Sequence, residues 1–291
     1  MTENSLAIAP KKILVASDLS AGSDRAMDRG IQLATAWGAA LTVLHVLDKK
    51  SPWPEYDREP SWQRSSYGLA RIERDLRADL GPMAAAKVRI LEGEPTAVIR
   101  DVAEEEHSDL IVVGEGRPWG LGAPSKTLDV LFRSAPVSTL VVKQRPRRDY
   151  DKILVGTDFT DEALVALEHA AGLFPSASLA LLHSFEVPYR SLVSDNQLSR
   201  DFGAMERETI RGFIAQAALP ETVKAGIATF VEHGHPADML GRYADDHDID
   251  LTVIGAYERG RLFHYLVGGQ GPRILEAVRS DVLLVRPGRA N

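Results

Sequence analysis

The sequence contains no cysteine in its 291 residues, which excludes disulfides, thiol catalysis and cysteine-ligated iron–sulfur clusters. No run approaches the roughly 18 apolar residues that a membrane-spanning helix needs, and the first residues lack the apolar core of a signal peptide. Acidic residues outnumber basic ones, 41 to 34, which gives a net charge of -7 at pH 7. A nucleic-acid surface needs clustered Lys and Arg, so we expect no nucleic-acid partner. Because the sequence has neither a spanning run nor a signal-peptide core, we also expect no membrane association and a cytoplasmic location.

The sequence does contain an internal repeat. Lys12–Ser17 reads KILVAS, and Lys152–Thr157 reads KILVGT 140 positions later. Four further landmarks follow in the same order at offsets of 138 to 143, namely 41–45 with 179–183, 91–95 with 232–236, 109–114 with 250–255, and 139–142 with 282–285. Five landmarks in one order indicate a duplication. We predict domains of 1–148 and 149–291, with the basic stretch 143–148 as a linker.

Short apolar runs alternate with longer amphipathic stretches in each half. A run such as LIVVG at 110–114 is typical of a strand that is buried on both faces of a parallel sheet. We therefore predict an α/β protein with two Rossmann-like domains, each a five-stranded parallel sheet with helices on both faces. The predicted strands are 12–17, 41–46, 87–92, 109–113 and 138–142, then 152–157, 179–184, 227–232, 250–254 and 281–285.

Helix starts are also visible in the sequence. Ser20 and Thr160 are expected to cap the first helix of each half, and Pro95 and Pro236 to begin a later one. The expected buried stripes are Met27, Ile31 and Ala34; Leu128, Leu131 and Phe132; Leu164, Leu167, Ala171 and Phe174; and Ile274, Leu275 and Val278. The long segments 48–68 and 185–201 show little regular pattern, and they either form lids or partner surfaces or cover a sheet edge.

Ligands of open parallel sheets bind beyond the carboxyl ends of the strands, where the strand order reverses. Asp18 and Asp158 follow the first strand of each half. Each carboxylate is placed either to accept hydrogen bonds from a purine or ribose, or to cap and orient the turn that follows. His45 and His183 end the second strands, and we expect half-buried rings with a backbone partner.

Glycine-rich loops follow the fourth strand of each half, and glycines let backbone N–H groups approach an anion. The first loop runs from Gly114 to Ser125 and Lys126, and its end differs from a phosphate-binding G-x-x-x-x-G-K-[ST] loop by Ser125 in the place of a glycine. The second contains Gly255, then Gly268, Gly269 and Gln270 before a helix that begins at Gly271 and Pro272. Arg259, Arg261 and Arg273 are the candidate cations for a phosphate.

Both halves resemble the universal stress protein domain, through the K-I-L-V-x-x-D strand, the G-x-P turn and the D-L-[IT]-V-[VI]-G strand. The resemblance implies a fold like that of the adenine nucleotide alpha hydrolases, and a stress-response protein that binds ATP or a related adenine nucleotide, with Mg²⁺ as the ion that would accompany it. In the family's ATP-binding members, G-x2-G-x9-G-[ST] follows the fourth strand. This chain departs from it at Glu258 and Gly269 in the second half and over most of the first loop, so the second half is the preferred site.

Two functions follow from this resemblance. One is a nucleotide-responsive regulator with little or no turnover, and weak ATP hydrolysis is a lesser alternative. The other is an interaction or scaffold protein without nucleotide. The resemblance also implies that the two domains form a pseudo-two-fold pair through their last strands, 140–142 with 283–285, and that a homodimer is possible.

The remaining candidate site is His233 with His235, which flank Gly234. A metal needs three or four converging ligands, so this pair alone is a weak metal site and we expect none. No Ser-His-Asp order or pair of carboxylates near a glycine loop points to catalysis, and we predict that the protein is not an enzyme.

Overall fold

The computed structural model describes residues 9–48, 65–81, 83, 85–116, 126–185, 197–256 and 271–287, with the side chains of 65–68, 126 and 197–206 excepted. Described residues from Pro10 to Pro146 form one compact unit, and those from Arg147 onward form a second. We call them the N-terminal unit and the C-terminal unit. Within these ranges, no helix combines the length and apolar character that crossing a membrane requires.

The N-terminal unit is a parallel sheet with strand order β3-β2-β1-β4-β5. The chain moves in one direction from β1 to β3 and then returns past β1 to β4. Right-handed crossovers therefore place helices on both faces of the sheet. Its elements are β1 Lys12–Ser17, α1 Ala21–Trp37, β2 Ala40–Leu47, α2 Ser65–Asp79, β3 Lys87–Glu92, α3 Pro95–Glu105, β4 Leu110–Gly114, α4 Lys126–Ser134 and β5 Ser138–Val142.

The C-terminal unit repeats this topology, with strand order β8-β7-β6-β9-β10. It also has the short helix α7, which the sequence pattern did not predict. Its elements are β6 Lys152–Thr157, α5 Asp161–Leu173, β7 Ser178–Phe185, α6 Gln197–Gln216, α7 Glu221–Gly226, β8 Ala228–His233, α8 Pro236–Asp246, β9 Leu251–Gly255, α9 Gly271–Ala277 and β10 Asp281–Val285. All ten predicted strands are present, each within one residue of its expected bounds.

The predicted irregular segments are partly wrong. Helix α2 already begins at Ser65, inside the segment 48–68, and α6 begins at Gln197, inside the segment 185–201. The intervening residues 49–64 and 186–196 lie outside the described part of the chain. Each segment therefore includes the first turn of the helix that follows the second strand of its unit.

The predicted helix starts are confirmed. The Ser20 hydroxyl accepts the backbone N–H of Ser23 at 3.3 Å, and the Thr160 hydroxyl accepts that of Ala163 at 3.4 Å. Helices α3 and α8 begin at Pro95 and Pro236. A proline suits the first position of a helix because its missing N–H would have no partner inside the helix.

The buried stripes are confirmed for α4 and α9 and are partly wrong for α1 and α5. Ile31, Leu164 and Phe174 are only half-buried. The side of α5 that faces the sheet consists mostly of small residues, which let the helix lie close to the strands. The Phe174 ring packs edge-on against Tyr150, with ring centroids 5.3 Å apart. The buried residues of α5 are Ala163, Ala166, Leu167, Ala170 and Ala171.

An aspartate just before the fourth strand of each unit holds the first strand in place. Asp109 Oδ2 accepts the backbone N–H groups of residues 11 and 12 at 2.8 and 3.0 Å. Asp250 Oδ2 accepts those of residues 151 and 152 at 3.0 and 2.9 Å. These N–H groups precede or begin a strand, so a carboxylate provides acceptors that the sheet does not. We call this contact the aspartate clamp.

A second polar network in the N-terminal unit surrounds Glu106 at the amino ends of β2 and β3. Its carboxylate accepts hydrogen bonds from Thr42 Oγ1 at 2.6 Å, Lys87 Nζ at 2.6 Å and Arg89 Nη1 at 3.0 Å. Burial by itself raises the pKa of Glu106, but these three donors outweigh burial and hold the pKa below its ordinary value. Glu106 is therefore a carboxylate at neutral pH and ties α3 to the sheet.

Candidate functional site

The strand order of each unit reverses between its first and fourth strands, which is where ligands of such sheets bind. In the C-terminal unit an open cavity of about 100 Å³ lies at this position. Its polar lining comes from Thr157, Asp158, Thr160, His183 and Ser184. Glycine and apolar residues complete the lining, namely Gly156, Ala163, Leu182, Pro236, Leu240, Ile254, Gly255 and Ile274. The cavity is thus mainly apolar, with polar groups on the side of β6 and β7.

The two predicted carboxylates orient the turns that follow them. Asp158 Oδ1 accepts the Thr160 backbone N–H at 3.2 Å and its hydroxyl at 2.6 Å. Asp18 Oδ1 accepts the Ser20 backbone N–H at 3.0 Å. Burial raises the pKa of Asp18, but hydrogen bonds from Ser20 and Ser23 outweigh burial and lower it. The turn-orienting role is confirmed for both residues, and contact with a purine or ribose stays a prediction.

The expected backbone partners of His45 and His183 are confirmed, and His183 is half-buried as predicted, whereas His45 is buried. His45 Nδ1 lies 2.8 Å from the Ser17 carbonyl oxygen, and His183 Nδ1 lies 2.9 Å from that of Thr157. A carbonyl oxygen only accepts, so Nδ1 carries the proton in both rings. The Phe159 ring packs on His183 with centroids 4.2 Å apart, which fixes the orientation of the imidazole at the cavity.

Gly114 and Gly255 end β4 and β9, and close packing explains why both residues are glycines. A Cβ at Gly114 would lie 2.3 Å from the Gly22 carbonyl oxygen, and one at Gly255 would lie 2.5 Å from that of Glu162. The end of the fourth strand therefore contacts the first turn of the first helix of its unit, α1 or α5, without room for a side chain. Gly255 also lines the cavity beside Asp158, so the structure brings these two predicted site residues together.

An ion pair that the sequence pattern did not predict joins the residues that directly follow β4 and β5 in the N-terminal unit. Lys143 Nζ lies 3.3 Å from Glu115 Oε1, and the Lys143 side chain is only 4% exposed. Arg25 Nη1 donates to the Lys143 carbonyl oxygen at 2.7 Å. Reading 143–148 as a linker is therefore wrong at Lys143, because this lysine is buried against the carboxylate that follows β4.

Several predicted site residues lie outside the described part of the chain. These are Ser125, Glu258, Arg259, Arg261, Gly268, Gly269 and Gln270. Lys126 is the first residue of α4, and its side chain also lies outside the description. The predicted start of the last helix at Gly271 and Pro272 is confirmed, since α9 begins at Gly271.

The histidine pair at the end of β8 makes contacts of another kind. Arg273 Nη1 lies 3.3 Å from His235 Nε2, and the His233 ring packs edge-on against Phe185 at 5.5 Å. In the part of the chain that is described, no group of three or more His, Asp or Glu side chains is placed to hold a metal ion. The described contacts of His233 and His235 are thus with an aromatic ring and a cation.

Sequence reasoning missed the apolar wall of the cavity and the cap of α3. The wall consists of Leu182, Leu240 and Ile254. The available signals were the positions of Leu182 and Ile254 near the ends of their strands and of Leu240 one turn after Pro236. Glu94 caps α3 by accepting the N–H groups of Thr96 and Ala97 at 3.1 and 2.7 Å. Its place directly before the helix-opening proline was the available signal.

Comparison with known proteins gives one family for both halves. The profile of the Universal stress protein family matches residues 10–143 and again 149–286. A universal stress protein of Mycolicibacterium smegmatis is 26% identical, with 94% of this chain and 97% of the relative covered. A universal stress protein of Synechocystis sp. is 25% identical over 66% of this chain. The match spans 63% of that relative's length.

Solved structures give the same fold. A universal stress protein from Archaeoglobus fulgidus has a TM-score of 0.66 at 16% identity, covering 96% of this chain and 99% of its own. A functionally unknown protein from Pseudomonas aeruginosa has a TM-score of 0.65 at 21% identity, covering 96% of this chain and 93% of its own. With both halves matched by one family profile, the chain belongs to the universal stress protein family and carries two copies of its domain.

Proposed function

We propose that the C-terminal unit binds an adenine nucleotide, ATP or a relative of ATP, and that binding regulates the protein with little or no turnover. The observation that carries this proposal is the cavity at the strand-order reversal, which Asp158, His183 and Gly255 line. An apolar pocket with a few convergent polar groups is typical of a small-molecule site. The family relationship supports an adenine nucleotide, with Mg²⁺ accompanying its phosphates.

The preference for the C-terminal unit comes from a difference in charge. In the N-terminal unit a carboxylate, Glu94, stands at the start of α3, and a second, Glu115, follows β4 and pairs with Lys143. The equivalent positions in the C-terminal unit are His235 and Ala256. Negative charge at a phosphate site opposes binding, so we propose one nucleotide per chain.

The alternative is an interaction or scaffold protein that binds no nucleotide. The N-terminal unit favours this alternative, because the Lys143 ammonium is already paired with Glu115. In this alternative both units contact partner proteins through their surfaces. The domain limits 1–148 and 149–291, the pairing of the last strands, a homodimer and a cytoplasmic location stay predictions from the sequence.

Titration calorimetry tests the proposal directly. ATP with Mg²⁺ is titrated into the purified chain, into Ser184→Trp and into the matched control Val46→Trp, which occupies the equivalent position in the N-terminal unit. A tryptophan at Ser184 fills the cavity, so we expect one site per unchanged chain, loss of binding in Ser184→Trp and unchanged binding in Val46→Trp. No heat from the unchanged chain, with no nucleotide co-purifying by mass spectrometry, would reject nucleotide binding and favour the scaffold.

A further inference from the structure

Two side chains join the helices on one side of the cavity. Pro236 and Ile274 both line it, and they belong to α8 and α9. His235 directly precedes Pro236 and Arg273 directly precedes Ile274, and the two side chains meet with Arg273 Nη1 3.3 Å from His235 Nε2. The pair therefore lies beside the cavity and spans the two elements that form this side of it.

The chemistry of this contact favours an anionic ligand. A guanidinium only donates hydrogen bonds, so His235 Nε2 accepts and the ring is neutral in this arrangement. The contact pairs a full positive charge with a neutral acceptor, and Arg273 is exposed to solvent. A phosphate oxygen is a stronger acceptor for a guanidinium than an imidazole nitrogen. Arg273 can thus exchange its histidine partner for a phosphate without leaving a buried group unpaired.

The N-terminal unit shows which other side chain the position of His235 accommodates. There the equivalent residue, Glu94, places its carboxylate on the N–H groups of Thr96 and Ala97. The His235 side chain makes no such capping hydrogen bond. An anion thus already occupies this place in the N-terminal unit, whereas in the C-terminal unit the same place has a histidine with an arginine beside it.

We propose that Arg273 recognises a phosphate group of the ligand, exchanging its contact with His235 for it, and that the site selects nucleoside phosphates over nucleosides. This inference rests on the proposed function, since the base and sugar of the same ligand occupy the cavity. Neither side chain lines the cavity itself, so the pair acts on the part of the ligand that extends beyond it.

Calorimetry with ATP and with adenosine tests the pair. Arg273→Gln removes the cation, and His235→Glu introduces the carboxylate that the N-terminal unit has at Glu94. Each variant is expected to weaken ATP binding about tenfold or more, as loss of a charge-assisted hydrogen bond does, and to change adenosine binding less than about twofold. Arg279→Gln is the matched control, because Arg279 is an exposed arginine after α9 whose carboxylate partner is Asp245 at 3.8 Å.

The outcomes separate this inference from the proposed function. Absence of ATP binding by the unchanged chain rejects the proposed function and the inference with it. If the unchanged chain binds ATP, then Kd values within about twofold of it in both variants overturn the phosphate role of Arg273. An equal loss in Arg279→Gln, or an equal loss of adenosine affinity, also overturns it, since either shows a general effect on charge or folding.

Discussion

Removal of the aspartate clamp from one unit should destabilise that unit selectively. Asp250→Ala deletes the acceptor of two backbone N–H groups, at 3.0 and 2.9 Å, where β6 begins. A hydrogen bond to a charged group contributes about 1.5–3 kcal/mol. The Asp250 side chain is 17% exposed, so we take the lower end of that range for each bond. The expected loss is about 3 kcal/mol of the free energy of unfolding.

The position of the tryptophans allows the two units to be followed separately. All four tryptophans lie in the first half of the chain, at positions 37, 53, 62 and 119. Urea unfolding is followed by tryptophan fluorescence, which reports on the N-terminal half, and by far-UV circular dichroism, which reports on both. Asp250→Ala should move the dichroism transition to lower urea, and Asp109→Ala should move the fluorescence transition.

The control for the clamp is Arg148→Gln. Arg148 Nη2 donates to Asp250 Oδ1 at 2.9 Å, but the arginine side chain is 59% exposed and water screens the pair. We expect this variant to unfold close to the unchanged chain. The clamp is refuted as a source of stability if Asp250→Ala stays within about 0.5 kcal/mol of the unchanged chain, or if Arg148→Gln loses as much.

Three further substitutions test packing, a buried hydrogen bond and pH dependence. Gly255→Ala places a Cβ 2.5 Å from the Glu162 carbonyl oxygen and should cost about 1–3 kcal/mol, measured by thermal unfolding; an unchanged Tm would contradict the steric argument. Tyr150→Phe removes the donor that lies 2.6 Å from the buried Asp281 Oδ2 and should cost about 1–3 kcal/mol in urea; a neutral result would exclude this bond as a contributor. The folded-state pKa of Glu106 is lowered, so its contribution to stability is present above the ordinary value of 4.5 and is lost as the pH falls through the lower folded value. Glu106→Gln should therefore destabilise the protein more at pH 7 than at pH 3, and an equal loss at both pH values would contradict this sign.

Local signals predicted most of the fold. The continuous apolar runs are buried strands because both faces of a parallel sheet are covered by helices. Ser20, Thr160, Pro95 and Pro236 have the expected places because capping depends on residues close in sequence. The stripe of α5 was less accurate, because which side of an alanine-rich helix faces the sheet depends on packing rather than on the spacing of its larger residues.

Signals that depend on distant residues were harder to interpret. Asp109 and Asp250 were recognised as repeated landmarks, but their acceptor role depends on N–H groups 97 to 99 positions away. Lys143 belongs to a basic stretch in the sequence, and only the fold places Glu115 beside it. His235 was noted as a weak metal ligand, whereas its contact with Arg273 joins residues 38 positions apart.

The sequence alone determined the duplication, the order of the strands along the chain and the glycines and aspartates at their ends, because these are local patterns that repeat at one offset. The tertiary structure decided which of these residues meet. It brings Asp158 and Gly255 to one cavity and places Glu115 beside the buried Lys143. Strand order and side-chain packing set these contacts, and neither is written in the spacing of residues along the chain.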